Sequence, residues 1–197
     1  MPPLAWRTAL RALAGFAAGL AIYVLITPLY DRLIAAVTEK TLHAFETPDV
    51  TRLHREDDGN TTIDRRDFDP RSQRPGIPLR DLTFNFVLVC ALFAANERPL
   101  SDRNIGGFLA ASAVLSLTHV LGAVAEVMSI YALKLGMWSQ MHFSPFERNF
   151  WGVASHFYRL VLMYAIAFAL WWIFRPSDGK GAAAAAPLRA RRGKGKK

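Results

Sequence analysis

Two uncharged stretches, residues 12–30 (19 long) and 104–125 (22 long), constrain this chain more than any other feature of its 197 residues. A bilayer's hydrocarbon core is about 30 Å thick and takes roughly 20 apolar residues as a helix, so each stretch can cross it unaided. Residues 82–96 and 160–174 are uncharged runs of only 15 each. They span only with help from their flanks, the second by borrowing residues 77–79 and the fourth by starting near Val153 and drawing Arg159 into the membrane. The fold class expected is therefore an all-α membrane protein with about four transmembrane helices. A hydrophobic content of 52% in such blocks excludes disordered and collagen-like chains. The single cysteine excludes an internal disulfide framework and a thiolate metal site within one chain.

Orientation follows from where the basic residues fall, because short cytoplasmic segments collect Lys and Arg. Arg7 and Arg11 precede the first span, Arg98 and Arg103 lie in the turn after the second, and eight basic residues follow from Arg175 onward. Residues 31–81, with nine basic and eleven acidic side chains, suit the opposite side, as do residues 134–152. Both termini are thus expected in the cytoplasm. Two arginines before an apolar stretch also outline a signal peptide, but the stretch is long for one and no A-x-A pair ends it before Pro28, so an uncleaved anchor is expected. Alanine-, arginine- and leucine-rich usage is associated with bacterial chains, which makes the bacterial inner membrane the expected location.

The organisation expected is a first span within residues 1–30, an extracytoplasmic segment 31–81, a bundle of three spans within 82–174 and a basic tail, 175–197, without packed structure. In the outer segment Tyr30, Leu33, Ile34, Val37 and Phe45 recur at roughly helical spacing, which predicts an amphipathic helix ended by Thr47 and Pro48. Two short runs around Asp57-Asp58-Gly59-Asn60 suit a β-hairpin, with a solvated loop as the alternative. Trp138, Met141, Phe143, Phe146, Phe150 and Trp151 crowd into the loop 134–152 and suit an interfacial aromatic belt. A lipid or hydrophobic-ligand site there is a further reading. The tail, Arg189 to Lys197 above all, suits anionic lipid headgroups rather than nucleic acid.

Ionisable residues inside spans are costly and are the default site candidates. Helical rise puts Cys90, His119 and Arg159 at similar depth, roughly 9–12 Å below the outer edge. Glu126 and Arg159 are expected to pair, with Asn85, His119 and His156 completing an intramembrane polar network. Gly15 and Gly19 form a small-xxx-small face suited to close helix packing. The sharper alternative makes Cys90 a nucleophile, His119 its base and Arg159 the stabiliser of thiolate or oxyanion. Cys90, however, lies in an unbroken apolar run where cysteine is commonly a small hydrophobe, so no catalytic residue is assigned. No nucleotide-loop, zinc-hydrolase or dithiol motif is present. The acidic turn beside His54 reads as solvated rather than cation-binding, and no metal or cofactor is expected.

The stretch Leu82-Thr-Phe-Asn-Phe-Val-Leu-Val-Cys-Ala-Leu-Phe-Ala-Ala-Asn-Glu-Arg98, followed by Arg103 and by Leu117-Thr-His-Val120, resembles the small bacterial membrane proteins described as exosortase-associated, of the exosortase H-associated kind. The resemblance runs from Leu82 to about His119. It implies an accessory partner of an exosortase, a membrane transpeptidase that processes C-terminally tagged surface proteins. The exosortases themselves look different: their site is a Cys, an Arg and a His in chain order. Cys90, Arg103 and His119 follow that order here, but Arg103 is expected on the cytoplasmic side. The resemblance therefore implies a protein that acts through contacts with another membrane protein, and it carries over no catalytic residue.

Overall fold

The computed structural model describes residues 4–46, 50–56, 60–67 and 73–176. The basic tail and the acidic turn at 57–59 lie outside them, as do Thr47 and Pro48. The first span and the amphipathic segment form one helix, α1 (Leu4–His43), with Pro28 inside it. At 1.5 Å per residue its 40 residues measure about 60 Å, twice the hydrocarbon thickness. Proline removes a backbone donor mid-helix, and beside it Thr27 Oγ1 donates to the Tyr23 carbonyl at 2.6 Å, which satisfies the buried hydroxyl within its own helix.

A three-stranded antiparallel sheet follows, in the order β1 (Thr51–Arg55), β2 (Thr61–Arg65), β3 (Gly76–Ile77). β1 and β2 are the expected hairpin, in the register Thr51↔Arg65, Leu53↔Ile63 and Arg55↔Thr61. An isolated hairpin is marginal in water, and this one gains a partner surface. Ile63 and Ile77 are fully buried with Ile34 and Leu42 of α1 and with Val127 and Ile130 of a later helix.

The chain then forms α2 (Leu79–Thr83) and α3 (Asn85–Ala94), joined through Phe84 in helical conformation. Together they measure about 24 Å, short of the hydrocarbon thickness. α4 (Asp102–Leu133) is capped by Ser101 and turns at Gly136, whose φ of 59° suits glycine, into α5 (Met137–His142). The last helical stretch is α6 (Pro145–Phe157), a π-helical turn (Tyr158–Leu162) and α7 (Met163–Phe174). Among the described residues three helices are long and apolar enough to cross a membrane: Trp6–His43, Asp102–Leu133 and Pro145–Phe174.

The last of these starts earlier than Val153. Pro145 occupies the first helical turn, and the Ser144 side chain and Glu147 form a reciprocal capping box, so the helix begins where its backbone donors are satisfied rather than at a hydrophobic edge. The aromatic "loop" 134–152 is accordingly α5 plus the first turns of α6.

The sheet is clasped to the far end of α1 by charge. Glu39 accepts from the Leu53 backbone N–H at 2.9 Å and from Arg52 Nη1 at 2.8 Å, while His43 Nε2 lies 2.7 Å from the Thr51 carbonyl. Arg65 holds Asp67 by two bonds of 2.9 and 3.0 Å and packs its guanidinium over the rings of Tyr131 and Trp138. Burial alone would raise the Glu39 pKa, but the bonds from Leu53 and Arg52 outweigh it and hold the carboxyl below its ordinary 4.5. Arg65 holds Asp67 below its ordinary 3.8. A carboxylate with a depressed folded pKa stabilises the fold above its unfolded value, and that stabilisation drains away as pH falls through the folded value. The clasp should therefore hold at pH 7 and loosen below about pH 4. Amide-exchange protection of Leu53, normalised for intrinsic rates, reads this directly; equal protection at pH 7 and pH 3 would sink the assignment.

Candidate functional site

The polar side chains of the bundle fall into two groups. The first is a relay crossing four helical segments. The Tyr30 hydroxyl lies 2.7 Å from His119 Nδ1 and 3.0 Å from Ser116 Oγ, His119 Nε2 lies 2.6 Å from Asn85 Oδ1, and Asn85 Nδ2 donates to the Met163 carbonyl at 2.8 Å. Its proton order follows from one fixed point, since a carbonyl only accepts. Asn85 must present its amide N–H to Met163 and its oxygen to His119, so Nε2 carries a proton, and the Tyr30 hydroxyl donates to Ser116 Oγ, which in turn donates to the Ser112 carbonyl. His119 and Asn85 are almost completely buried. The anchor at Met163 sits where the π turn ends and closes with the Met163 N–H on the Tyr158 carbonyl. π turns inside helices are frequent at functional positions.

The second group lies about two helical turns along α4, toward the sheet. Glu126, buried, accepts a hydrogen bond from Ser155 Oγ, and Arg159 stands between two carboxylates, 4.0 Å from Glu126 and 3.8 Å from Asp81. Glu126 thus has a hydroxyl partner nearer than the guanidinium, and Asp81 shares the arginine. His156 joins neither group: its Nδ1 lies 2.8 Å from the Gly152 carbonyl on an exposed face.

Cys90 lies apart from both. A Cβ placed on Gly19 would come 2.6 Å from Cys90 Cβ and 3.0 Å from its Sγ, and a Cβ on Gly15 would come 2.2 Å from Ala94 Cβ. The Gly15–Gly19 face is consequently occupied by α3 of the same chain. Both ring nitrogens of His119 are engaged by Tyr30 and Asn85, leaving neither for a thiol. Arg103 stands in the first turn of α4, while His119 is five turns along the same helix.

Tyr30, Ser116, Ser155 and Asp81 are the members of these groups that sequence reasoning missed. A signal existed for Ser116: Ser112, Ser116 and His119 are spaced four and three apart on α4, a polar stripe on an otherwise apolar helix. Tyr30 was absorbed into the hydrophobic face of the amphipathic segment.

The aromatic residues of 134–152 divide. Trp138 is used inside the molecule, stacked on His142 at 4.2 Å and packed against Tyr131 and Arg65. Phe146, Phe150 and Met141 point outward. Among the described residues no group of three or more metal-ligating side chains is present.

In comparison with known proteins, the family model described as exosortase H-associated membrane protein matches residues 2–177. No curated protein and no solved structure matches the chain.

Proposed function

Because the chain belongs to the exosortase H-associated membrane proteins, we propose that it is a multi-pass accessory protein of the bacterial inner membrane that acts by contact with an exosortase-type enzyme rather than by chemistry of its own. The observation that carries this is the commitment of every catalytic candidate to packing: Cys90 to Gly19, His119 to Tyr30 and Asn85, Arg159 to Glu126 and Asp81.

On this reading the chain crosses four times. α2 and α3 make the short second crossing, which the tilt of the pair or a locally thinned bilayer accommodates. The sheet end faces away from the cytoplasm, both termini lie inside, and the basic tail rests on anionic headgroups. The Asn85, His119, Glu126 and Arg159 contacts then act as the internal fastening of the bundle, which interhelical hydrogen bonds suit because lipid offers polar groups no alternative partner.

The test is co-purification. A tagged chain extracted in mild detergent from cells that carry the cognate exosortase should retain the enzyme, and Cys90→Ala should retain as much as wild type. Absence of the enzyme from the wild-type preparation would overturn the accessory reading. Loss confined to Cys90→Ala, with the variant folded, would restore the thiol-enzyme alternative.

A further inference from the structure

β1 has two hydrogen-bonding sides, and its register fixes which backbone groups face each. In an antiparallel pair, residues that exchange bonds with the neighbouring strand alternate with residues whose N–H and C=O point away from it. The Glu56 N–H bonds the Asn60 carbonyl at 2.8 Å, which puts His54↔Thr62 and Arg52↔Asp64 in the first set. Thr51, Leu53 and Arg55 therefore turn their backbone groups to the free edge of the sheet. A free edge is a template on which another chain can add a strand.

On β1 the template is occupied by side chains. Glu39 accepts from the Leu53 N–H at 2.9 Å, Glu46 accepts from the Thr51 N–H at 3.1 Å, and His43 Nε2 donates to the Thr51 carbonyl at 2.7 Å. Glu39 and His43 are four apart and share one face of α1. Glu46 follows in the turn beyond the helix, its own N–H on the Leu42 carbonyl at 3.1 Å. At the other end of the strand Arg55 lies back on α1, donating from Nη1 to the Pro28 carbonyl at 3.4 Å with Nε 3.9 Å from Asp31. A carboxylate on a backbone N–H makes a stronger bond than a strand's neutral carbonyl would. The opposite edge is blunted differently, since β3 is two residues long and sits between Pro75 and Pro78, which have no N–H to offer.

We propose that the outer end of α1 acts as a strap over the β1 edge: Glu39, His43 and Glu46 hold the positions a neighbouring strand would take, so the sheet is closed to strand addition for as long as α1 lies against it. With β3 blunted as well, another protein meets the side chains of this sheet and not its backbone. Lifting the strap exposes N–H groups at two alternate residues, the spacing at which an antiparallel strand pairs. The inference stands on the edge geometry and is independent of the accessory reading.

The test uses the purified full chain in detergent and the variant Glu39→Ala/Glu46→Ala, with Glu39→Gln/Glu46→Gln as the control that keeps an acceptor oxygen at each position. Amide exchange at Thr51 and Leu53 should quicken about tenfold or more in the alanine variant, while Arg52 and His54, bonded to β2, keep their protection. The glutamine variant should stay near wild type. With a photo-crosslinking amino acid at the exposed position 54, crosslinks to a second copy of the chain should rise in the alanine variant alone. Unchanged exchange at 51 and 53 would overturn the strap. Equal acceleration at all four amides would overturn it too, because the carboxylates would then hold the sheet as a whole rather than guard its edge. So would an opened edge that gathers no second copy. If the double variant does not fold, Glu39→Ala alone decides the matter at Leu53 against His54.

Discussion

Gly15→Leu is expected to separate α3 from α1 and to leave a chain that no longer holds its bundle in detergent, whereas Gly106→Leu should be tolerated. The two glycines both lie in apolar helices, and only their surroundings differ. A Cβ at position 15 would lie 2.2 Å from Ala94 Cβ, 2.9 Å from the Cys90 carbonyl oxygen and 3.3 Å from Ala91 Cα. Two of these three atoms are α3 backbone, so no rotamer change clears the space, and the whole helix must retreat. At position 106 nothing lies within 4 Å.

Overpacking a well-fitted core costs roughly 1–3 kcal/mol when side chains can shift, and a backbone clash puts Gly15→Leu at or above the top of that range. The effect should propagate, because α3 is short and the same contact seats Cys90 on Gly19. Thermal unfolding of the purified variants measures the loss, and the rate of maleimide labelling at Cys90 localises it: protected in wild type and Gly106→Leu, reactive in Gly15→Leu. Equal stability of the two leucine variants would refute the packing described.

The glycine pair illustrates what the sequence made legible and what it withheld. The small-xxx-small spacing identified a face for close approach, but spacing carries no information about which helix approaches, and the partner turned out to be α3 of the same chain. The long crossings were legible because hydrocarbon thickness sets their length. The start of α6 was not, since a capping box fixes it fifteen residues before the uncharged run 160–174.

The hairpin was half readable: its turn signal suits one, but the poor alternation of its two runs left a solvated loop as an equal reading, and β3, two residues long, offers no alternation to see. Its place was decided by tertiary packing, with Ile77 filling the core under α4. The relay was half legible. His119 and Asn85 stood out as polar residues in apolar spans, whereas Tyr30 did not, because a tyrosine satisfies a hydrophobic pattern and a hydrogen bond at once.

That relay supports a second large effect. Asn85→Leu keeps the side-chain volume near constant but takes from His119 Nε2 and the Met163 carbonyl their Asn85 partner, and His119→Leu orphans Asn85 Oδ1 while the Tyr30 hydroxyl keeps Ser116. An orphaned buried polar group costs about 1–3 kcal/mol, so each single substitution should destabilise by an amount in that range. In the double variant the His119–Asn85 bond is missing at both ends and neither side chain of the pair is left orphaned. The double variant should accordingly lose less than the sum of the singles, with a coupling of about 1 kcal/mol, the scale of interhelical hydrogen bonds in membranes.

The same cycle separates the two readings of Cys90. If Cys90 and His119 formed a catalytic pair, Cys90→Ala would couple to His119→Leu; with Cys90 seated on Gly19 and both His119 nitrogens engaged elsewhere, the two should add to within about 0.5 kcal/mol. Unfolding free energies of the three single and two double variants, against wild type in one detergent, decide it. Additive behaviour of Asn85 with His119 would dissolve the relay, and coupling of Cys90 with His119 would bring the thiol back to the centre of the mechanism.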